Sequence, residues 1–360
     1  MKVALIYCAD GNARFAHIAV EQGFRYGAQL PNTIYEPPYF VDQNWKKPVR
    51  ASYMAALAEH RPVVASVLDL EREDQLDEVL SWATEAAQHV HETVIIIPKV
   101  MGIIPRIPET IGGKQIRLGY SVPTTFAGTC LPLWEFTRRP VHLLGGSPSK
   151  QLELASYLNV QSADGNYSQL MATKYGQFFA CNGMANVKNR YWPRLKEVHA
   201  IPIDVPYHAF RLSCINIMAA WAGCRAYIRY GTEADIPAIK RIANQYKREL
   251  GFVNSAAIKT SIARYEVYVA EYLGEVVGFV NWHKRRDGWA TIYEVAVHKA
   301  FVGRKIGRAL VNAVALPRQL KCTVDNPANE FYEHVGMVNR DTVKGRQREL
   351  NVWILKEAQQ

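Results

Sequence analysis

Short apolar runs recur through the first half of the chain, and a stretch with helical spacing follows several of them. Six runs are predicted to be strands, at residues 2–9, 61–71, 92–100, 115–124, 139–148 and 159–166. They are almost continuously apolar, which is typical of parallel strands that are buried on both faces. Residues 73–90 and 149–158 show the apolar spacing of intervening helices. These alternating units predict a (β/α) barrel, complete or truncated, and a doubly wound open sheet is the alternative.

Polar or glycine-containing groups follow these runs, at the points where the predicted strands end. The carboxyl ends of parallel strands meet at one edge of an α/β fold, where substrates commonly bind. The groups expected at this edge are Asp10, Asn12, Asp69, Lys99, Gly145, Gly146, Asp164 and Asn166. Each of them can also be a simple helix cap, as Asp164 shows by preceding a predicted helix. Together they predict a substrate pocket in the N-terminal domain.

A strand, a glycine-containing loop and a helix are predicted near the middle of the C-terminal part. Residues 289–297 form a β-type run, and apolar residues recur with helical spacing from Ile306 onward. Gly303 and Gly307 lie between the strand and the helix or at the helix start. Glycines let the backbone approach a ligand, and the free amides of a helix N-terminus favour phosphate. The pattern therefore predicts a site for a ligand that carries a diphosphate.

These residues resemble the GNAT acyl-CoA N-acyltransferases, and the likeness extends from Arg225 to the C-terminus. The loop written (Q/R)xxGx(G/A) in that family falls on residues 302–307, VGRKIG, and the family's FY(x)nG(F/M) pattern falls on FYEHVGM, which contains Tyr332. Val302 replaces the preferred Gln or Arg, and Lys305 replaces a preferred Gly. The resemblance implies a central mixed sheet and a cofactor that is acetyl-CoA or another acyl-CoA.

The resemblance also implies roles for individual residues. The acyl-CoA diphosphate is expected on the loop residues Gly303, Arg304, Lys305, Ile306 and Gly307. A backbone N–H of the strand that ends near Val297 would polarise the acyl carbonyl. Tyr332 would protonate the departing thiolate, and Glu294 would serve as base for the attacking amine unless it is only a surface carboxylate.

The first half resembles, more loosely, the base-exchanging barrels of the tRNA-guanine transglycosylase type and their DNA-acting relatives. The likeness spans residues 2–177 and depends on two motifs, LLGGSP with Gly145 and Gly146, and SADGN with Asp164. It implies that Asp164 is a nucleophile and that Asp69 recognises the edge of a base. The Cys/His zinc site of the tRNA-acting members is missing, so we expect no metal. The predicted domains are a barrel over residues 1–223 and a GNAT-like domain over 224–360.

Positive charge is concentrated in the C-terminal domain. From Arg225 onward the chain has 22 Lys and Arg against 14 Asp and Glu, whereas the whole chain has 43 against 33. Arg285 and Arg286 belong to one basic cluster, and we expect Trp282, Trp289 and Trp353 nearby as stacking surfaces for bases. These features favour a nucleic acid partner, although a CoA site explains basic residues equally well. The absence of a signal peptide, of a long apolar run and of paired cysteine motifs predicts a cytoplasmic protein that does not enter a membrane.

Two functional hypotheses from different classes follow. In the first, the barrel holds a nucleobase and the GNAT-like domain transfers an acyl-type group to one of its amines. The phage Mom-type proteins, which have a GNAT fold and modify adenine in DNA, favour DNA over RNA under this hypothesis. In the second, the GNAT-like domain acetylates a small amine or a protein, and the barrel only binds a partner. A third, non-catalytic interpretation takes Val302 and Lys305 as signs of a degenerate cofactor loop.

Overall fold

The computed structural model describes residues 3–8, 11–30, 33–44, 46–124, 128–184, 189–201, 203–345 and 348–356. The chain divides into two compact units, one formed by residues 1–20 and 24–170 and the other by residues 21–23 and 171–360. The domain boundary that we placed between residues 223 and 224 stays a prediction, because compactness alone does not define it. No helix in the described ranges is long and apolar enough to cross a membrane.

The N-terminal unit is built on a closed barrel of parallel strands. Its strands are β1 (Ala4–Cys8), β2 (Arg25–Gln29), β3 (Phe40–Asp42), β4 (Val64–Leu70), β5 (Thr93–Pro98), β6 (Thr110–Ile111), β7 (Lys114–Ser121), β8 (Val141–Leu144) and β9 (Val160–Gly165). Eight of them pair in chain order, with β5 next to β7 and β9 next to β1, so that the sheet closes. The short β6 only forms a hairpin with β7. The predicted barrel is therefore confirmed, and it is complete.

Helices connect several of the barrel strands. They are α1 (Ala13–Glu21), α2 (Arg50–His60), α3 (Leu76–Ala86) and α4 (Pro148–Leu154), and α5 (Tyr167–Tyr175) follows the last barrel strand. Single 3₁₀ turns at Glu73–Gln75, Ile104–Arg106 and Leu133–Phe136 complete the connections. Inside the barrel, side chains from four strands form one apolar cluster that includes Ile6, Phe40 and Ile95. Because all eight barrel strands are parallel, their carboxyl ends lie at one rim.

The C-terminal unit is a seven-stranded mixed sheet with helices. Its strands are β10 (Tyr227–Tyr230), β11 (Val267–Tyr272), β12 (Glu275–Lys284), β13 (Ala290–Val297), β14 (Arg318–Thr323), β15 (Val338–Lys344) and β16 (Glu349–Leu355), in the order β10-β11-β12-β13-β14-β16-β15. The helices are α6 (Leu195–Val198), α7 (Val205–Trp221), α8 (Ile236–Ala243), α9 (Lys247–Leu250), α10 (Ser255–Ala263), α11 (Ile306–Ala313) and α12 (Ala328–His334), with 3₁₀ turns at Glu233–Asp235, Asn244–Tyr246 and Lys299–Phe301. This arrangement confirms the predicted mixed sheet. It also confirms the predicted succession of β13, loop and α11.

Candidate functional site

The strand that leads into the loop separates from one of its neighbours. β13 pairs with the antiparallel β12 as far as Val297, and a bulge displaces the register next to Glu294. In the fully described stretch 290–323, the parallel pairing of β13 with β14 stops at Ile292 and Leu320. The final residues of β13 therefore have a strand on only one side. This edge is where an extended ligand that carries amides could pair, although the Val297 carbonyl already accepts from the Tyr246 hydroxyl.

The loop ends in an unusual backbone conformation at the start of α11. Lys305 occupies the N-cap position with φ 62°, and no side chain caps this helix in the described chain. The left-handed region is unfavourable for residues with a Cβ, which explains physically why a Gly is preferred at this position. Gly303 also has a positive φ, 84°, and a Cβ added there would meet no atom within 4 Å. The amides at the start of α11 are thus bordered by open space at Gly303.

A cavity of about 290 Å³ lies against this loop, and three cationic side chains line it. Arg304 and Lys305 line it from the loop, and Arg225 lines it from the segment before β10. The guanidinium carbon of Arg304 lies 6.0 Å from the centre of the Tyr272 ring. A Cβ at Gly223 would lie 2.8 Å from the Lys305 Nζ, the flexible end of that side chain, so the feature that favours glycine there is its positive φ of 81°. Three cations beside free helix amides suit a group with several phosphates.

Two of the predicted loop residues, Gly307 and Ile306, also contribute to packing within the unit. A Cβ at Gly307 would lie 3.1 Å from the Phe331 ring of α12, so this glycine permits close helix packing rather than bordering open space. The side chain of Ile306 is buried, which leaves only its backbone for a ligand. The carbonyl oxygen of Val297 accepts a hydrogen bond from the Tyr246 hydroxyl at 2.8 Å. Their roles in cofactor binding stay predictions.

The two residues predicted to move protons lie on β13 and α12. Glu294 Oε2 accepts a 2.6 Å hydrogen bond from Asn281 Nδ2, and burial raises the pKa of this carboxyl despite that bond. Tyr332 is buried between Phe331 and Trp353, and burial raises the pKa of its phenol well above the usual value. A carboxyl with a raised pKa is a better base, and a phenol with a raised pKa keeps its proton at neutral pH.

In the barrel, Asp164 is the centre of a cluster of hydrogen bonds at the strand ends. Its Oδ1 accepts from the Gly145 N–H at 3.3 Å and faces His142 Nε2 at 3.1 Å, and its Oδ2 accepts from the Cys8 thiol at 3.2 Å. Burial, followed by the charge of Asp164, raises the pKa of the Cys8 thiol, which therefore keeps its proton and donates it. These contacts are made within the barrel, so the alternative that Asp164 is merely a helix cap is wrong.

A buried chain of polar groups orients His142 towards Asp164. Arg117 Nη1 donates to Ser162 Oγ at 2.7 Å, and Ser162 Oγ lies 2.7 Å from His142 Nδ1. A guanidinium can only donate, so the single proton of Ser162 is free for His142 Nδ1. Burial lowers the pKa of His142, and the neutral ring then carries its proton on Nε2, towards Asp164. Asp164 therefore accepts hydrogen bonds from His142, Gly145 and Cys8.

A further carboxylate, Asp42, lies within electrostatic range of both Asp164 and Asp69. Burial raises the pKa of Asp42 to about 7, and the charges of Asp164 and Asp69 add to this rise while a hydrogen bond from Ser66 opposes it. Asp69 Oδ2 forms an ion pair with Lys99 Nζ at 2.5 Å, so the predicted residues Asp69 and Lys99 do meet. In the described ranges, no group of three or more His, Cys, Asp or Glu side chains is placed to hold a metal ion. Sequence analysis had missed Asp42, Cys8 and the part played by His142.

The remaining predicted rim residues fall into different situations. Gly145 and Gly146 both have positive φ, and a Cβ at Gly146 would overlap Val122 while Gly145 is open. Asn12 Oδ1 accepts from the Arg14 N–H at the start of α1, which is a capping interaction. The carbonyl of Asn166 accepts from Gln169 in the first turn of α5. Asp10 lies outside the described residues. Substrate binding by these residues stays a prediction.

The basic cluster at the turn between β12 and β13 is partly neutralised. Arg285 Nη2 forms a 2.5 Å ion pair with Asp287, whereas Arg286 is exposed. The expectation that Trp282 and Trp353 offer stacking surfaces is wrong, because both rings are buried in the unit. Binding of a nucleic acid by Arg285 and Arg286 stays a prediction.

Two family models match different parts of the chain. The model of a family of unknown function, DUF6610, matches residues 17–222. The model of the acetyltransferase (GNAT) domain matches residues 263–337, which include β13, the loop, α11 and α12. The C-terminal unit thus contains a GNAT acetyltransferase domain. No protein of curated function matches the sequence.

Solved structures show likenesses that are limited to little more than a third of the chain. Ard1 from Thermoplasma volcanium is 24% identical, with 37% of this chain and 99% of that one covered and a TM-score of 0.33. The ribosomal-protein-S18-alanine N-acetyltransferase from Escherichia coli is 18% identical, with 38% and 96% covered and a TM-score of 0.33. The putative acetyltransferase yncA from Salmonella typhimurium, solved with its cofactor acetyl-CoA, is 22% identical, with 38% and 95% covered and a TM-score of 0.30.

Proposed function

We propose that this chain, which belongs to the family of unknown function DUF6610, is an acyl-CoA-dependent N-acyltransferase that modifies an amine of a nucleobase, in DNA rather than RNA. Its GNAT acetyltransferase domain supports the reaction class. The observation that carries the proposal is the separation of β13 from β14 directly before a loop lined by cations.

The cofactor of this proposal is acetyl-CoA or another acyl-CoA. The amides at the start of α11 would hold its diphosphate, and Arg304, Lys305 and Arg225 would supply opposite charge. The pantetheine arm carries two amide groups, and the unpaired edge of β13 beyond Ile292 offers backbone partners for them. A backbone N–H near Val297 then polarises the acyl carbonyl.

Transfer requires one proton to leave the amine and one to reach the thiolate. The amine nitrogen attacks the acyl carbonyl carbon, and Glu294 accepts its proton directly or through a water molecule. Tyr332 would give its proton to the thiolate that leaves when the carbon–sulfur bond breaks. Burial raises the pKa of Glu294, which supports its role as the base. Burial also raises the pKa of Tyr332, which makes the phenol a weaker acid, so the role of Tyr332 depends on its position in the FYEHVGM motif and not on this shift.

A nucleobase acceptor is supported by features of both units. Residues from Arg225 onward carry eight more basic than acidic side chains, which attracts a phosphate backbone. At the rim of the barrel, Asp164 lies beside the open Gly145, and Asp69 and Lys99 form a nearby ion pair. Carboxylates and a lysine can recognise the donors and acceptors of a base edge once the base leaves the stack.

A nucleoside profile tests the proposal. DNA and RNA from cells that express the protein should be digested and analysed by mass spectrometry, and we expect a nucleoside with an added acyl group in DNA. Glu294→Gln and Tyr332→Phe should reduce it on the order of a hundredfold. Glu275→Gln, at an exposed position of β12, is the matched control and should leave it unchanged. Acyl transfer to small amines or proteins, with unchanged nucleosides, would refute the nucleobase acceptor and leave the alternative hypothesis.

A further inference from the structure

A short ribbon of two antiparallel segments lies in the C-terminal unit, between α5 and α6. Its two sides are residues 176–180 and 191–194. The Ala180 N–H donates to the Tyr191 carbonyl at 2.9 Å, and this bond joins the two sides near one end. The ribbon precedes the residues that match the acetyltransferase domain. None of the steps proposed above uses it.

The inner side of the ribbon is packed into the unit. Phe178 and Phe179 are almost completely buried, and Trp192 is nearly so. The rings of Phe179 and Trp192 have centres 5.4 Å apart, and the Phe179 N–H donates to Ser213 Oγ of α7 at 2.9 Å. The backbone of the ribbon is therefore held in place, so little ordering is needed when its outer side chains bind a partner.

Two tyrosine rings are exposed at the ribbon, in contrast to the buried tryptophans of β12 and β16. Tyr191 is 47% exposed, and Tyr175, at the end of α5 directly before the ribbon, is 46% exposed. Each ring has a cation beside it. Lys174 Nζ lies 5.4 Å from the centre of the Tyr175 ring, and the guanidinium carbon of Arg190 lies 5.6 Å from the centre of the Tyr191 ring. An exposed ring with a cation beside it offers a stacking surface to a base and a partner to its phosphate.

The positive charge at the ribbon is not neutralised by carboxylates of the protein. Four cationic side chains are exposed there: Lys174, Arg190, Arg194 and Lys196. The sequence from residue 174 to residue 196 contains no Asp or Glu. None of the four cations belongs to an ion pair within the described parts of the chain. Unpaired cations that are close together attract a polyanion.

We propose that the ribbon binds a single strand of DNA, with bases stacked on Tyr175 and Tyr191 and phosphates on the four cations. Exposed rings together with unpaired cations are the combination that binds unpaired nucleotides, because a base in a duplex has no free face for stacking. The choice of DNA rests on the proposed function, in which a base of DNA leaves the stack and its neighbours lose their pairing. The binding itself requires neither acyl-CoA nor the residues of acyl transfer.

Fluorescence anisotropy tests the stacking part of this proposal. The probe is a labelled single-stranded oligodeoxynucleotide, titrated with the full-length protein in the absence of CoA. Tyr191→Ala should weaken binding on the order of tenfold, because one base loses its stacking surface. Tyr191→Phe keeps the ring and should bind as the wild type does. Tyr157→Ala is the matched control, since Tyr157 is an exposed tyrosine of the barrel unit and residues 151–163 contain no Lys or Arg.

The salt dependence of the same titration tests the phosphate contacts. Removing both cations in Arg194→Ala with Lys196→Ala should lower the slope of log affinity against log salt by about 0.7 for each lost contact. Tyr191→Ala should leave this slope unchanged, because stacking releases no counterions. Lys150→Ala, at a barrel lysine that is paired with Glu153 at 3.0 Å, is the control for the loss of surface charge. Thermal unfolding shows that each variant is folded.

Three further probes distinguish the strand from other polyanions. A DNA duplex of the same sequence, an RNA strand of the same sequence and vesicles that contain phosphatidylserine should all bind more weakly than the DNA strand. Tighter binding of any of them overturns the proposal, as does equal binding of the DNA strand to the wild type and to both folded ribbon variants. Because CoA is absent, ribbon-dependent binding without a modified nucleoside in cells refutes the proposed function alone. A modified nucleoside without ribbon-dependent binding refutes this proposal alone.

Discussion

Replacing Lys305 by glycine should raise the stability of the C-terminal unit and weaken its affinity for CoA at the same time. Lys305 has φ 62° at the N-cap of α11. The left-handed conformation costs a residue with a Cβ about 1–2 kcal/mol, and glycine loses about 0.5–1 kcal/mol more backbone entropy on folding. The net gain for Lys305→Gly is therefore between zero and about 1.5 kcal/mol. In a unit of this size, that raises the melting temperature by at most about 3–6 °C.

The loss of affinity follows from the position of the ammonium group. Lys305 lines the cationic cavity but is largely exposed, so solvent screens its interaction with phosphate. We expect a loss of about 1 kcal/mol, or roughly fivefold in the dissociation constant of CoA. Lys305→Ala removes the same charge and keeps the left-handed backbone, so it should lose the same affinity without the gain in melting temperature. Calorimetry with CoA and thermal unfolding measure the two effects separately.

A second lysine in the same loop is the control. Lys299 lies in the 3₁₀ turn after β13, with its Nζ 5.6 Å from the centre of the Tyr246 ring, and it does not line the cavity. Lys299→Ala should therefore leave the affinity for CoA unchanged. The reasoning fails if Lys305→Gly binds CoA as tightly as the wild type, or if its melting temperature falls below that of Lys305→Ala.

Three further predictions concern the barrel and the basic surface. Asp164→Asn removes the carboxylate that faces His142. The substitution should lower nucleoside modification on the order of a hundredfold while CoA binding persists. Wild-type levels of the modified nucleoside would exclude a catalytic role for Asp164. The pKa of Asp42 is about 7 in the folded protein against an ordinary 3.8, so the folded state binds the proton more tightly. The free energy of unfolding should therefore fall as pH rises from 4 to 7, by at most about 1.4 kcal/mol per pH unit. Denaturation at several pH values measures this slope, and an unchanged slope in Asp42→Asn would contradict the prediction. DNA affinity should fall with salt, and Arg286→Ala should lower the logarithmic slope by about 0.9, more than Arg285→Ala, whose side chain is already paired; equal or zero changes would show that this surface does not contact phosphate.

The barrel was predictable from its apolar runs, but its inner surface was not. The six long runs predicted correspond to six of its strands, whereas Arg25–Gln29 and Phe40–Asp42 were missed. The first contains glycine and glutamine, and the second has only three residues, so neither shows a clear period. Asp42 was missed with its strand. The partners of Asp164 were unpredictable for another reason, since they depend on the register between strands that are distant in sequence.

In the C-terminal unit, local patterns were sufficient for the elements and insufficient for the packing between them. The spacing of apolar residues and glycines predicted β13, the loop and α11. The contact of Gly307 with Phe331 joins two helices, and the burial of Trp282 and Trp353 depends on the whole sheet. The conformation of Lys305 had a local signal, because this lysine occupies a glycine position of the (Q/R)xxGx(G/A) motif that residues 302–307 resemble.

Closure of the barrel has a consequence for how the chain folds during synthesis. The last seam joins β1 to β9, with Ala4 opposite Ser162. At about 5–20 residues per second, a ribosome needs about 10–30 s between these two positions. Throughout that interval one edge of β1 has no permanent partner, and an unpaired apolar edge is prone to join another chain. Nascent chains halted before β9 should therefore aggregate, or occupy chaperones, more than chains that have passed Gly165.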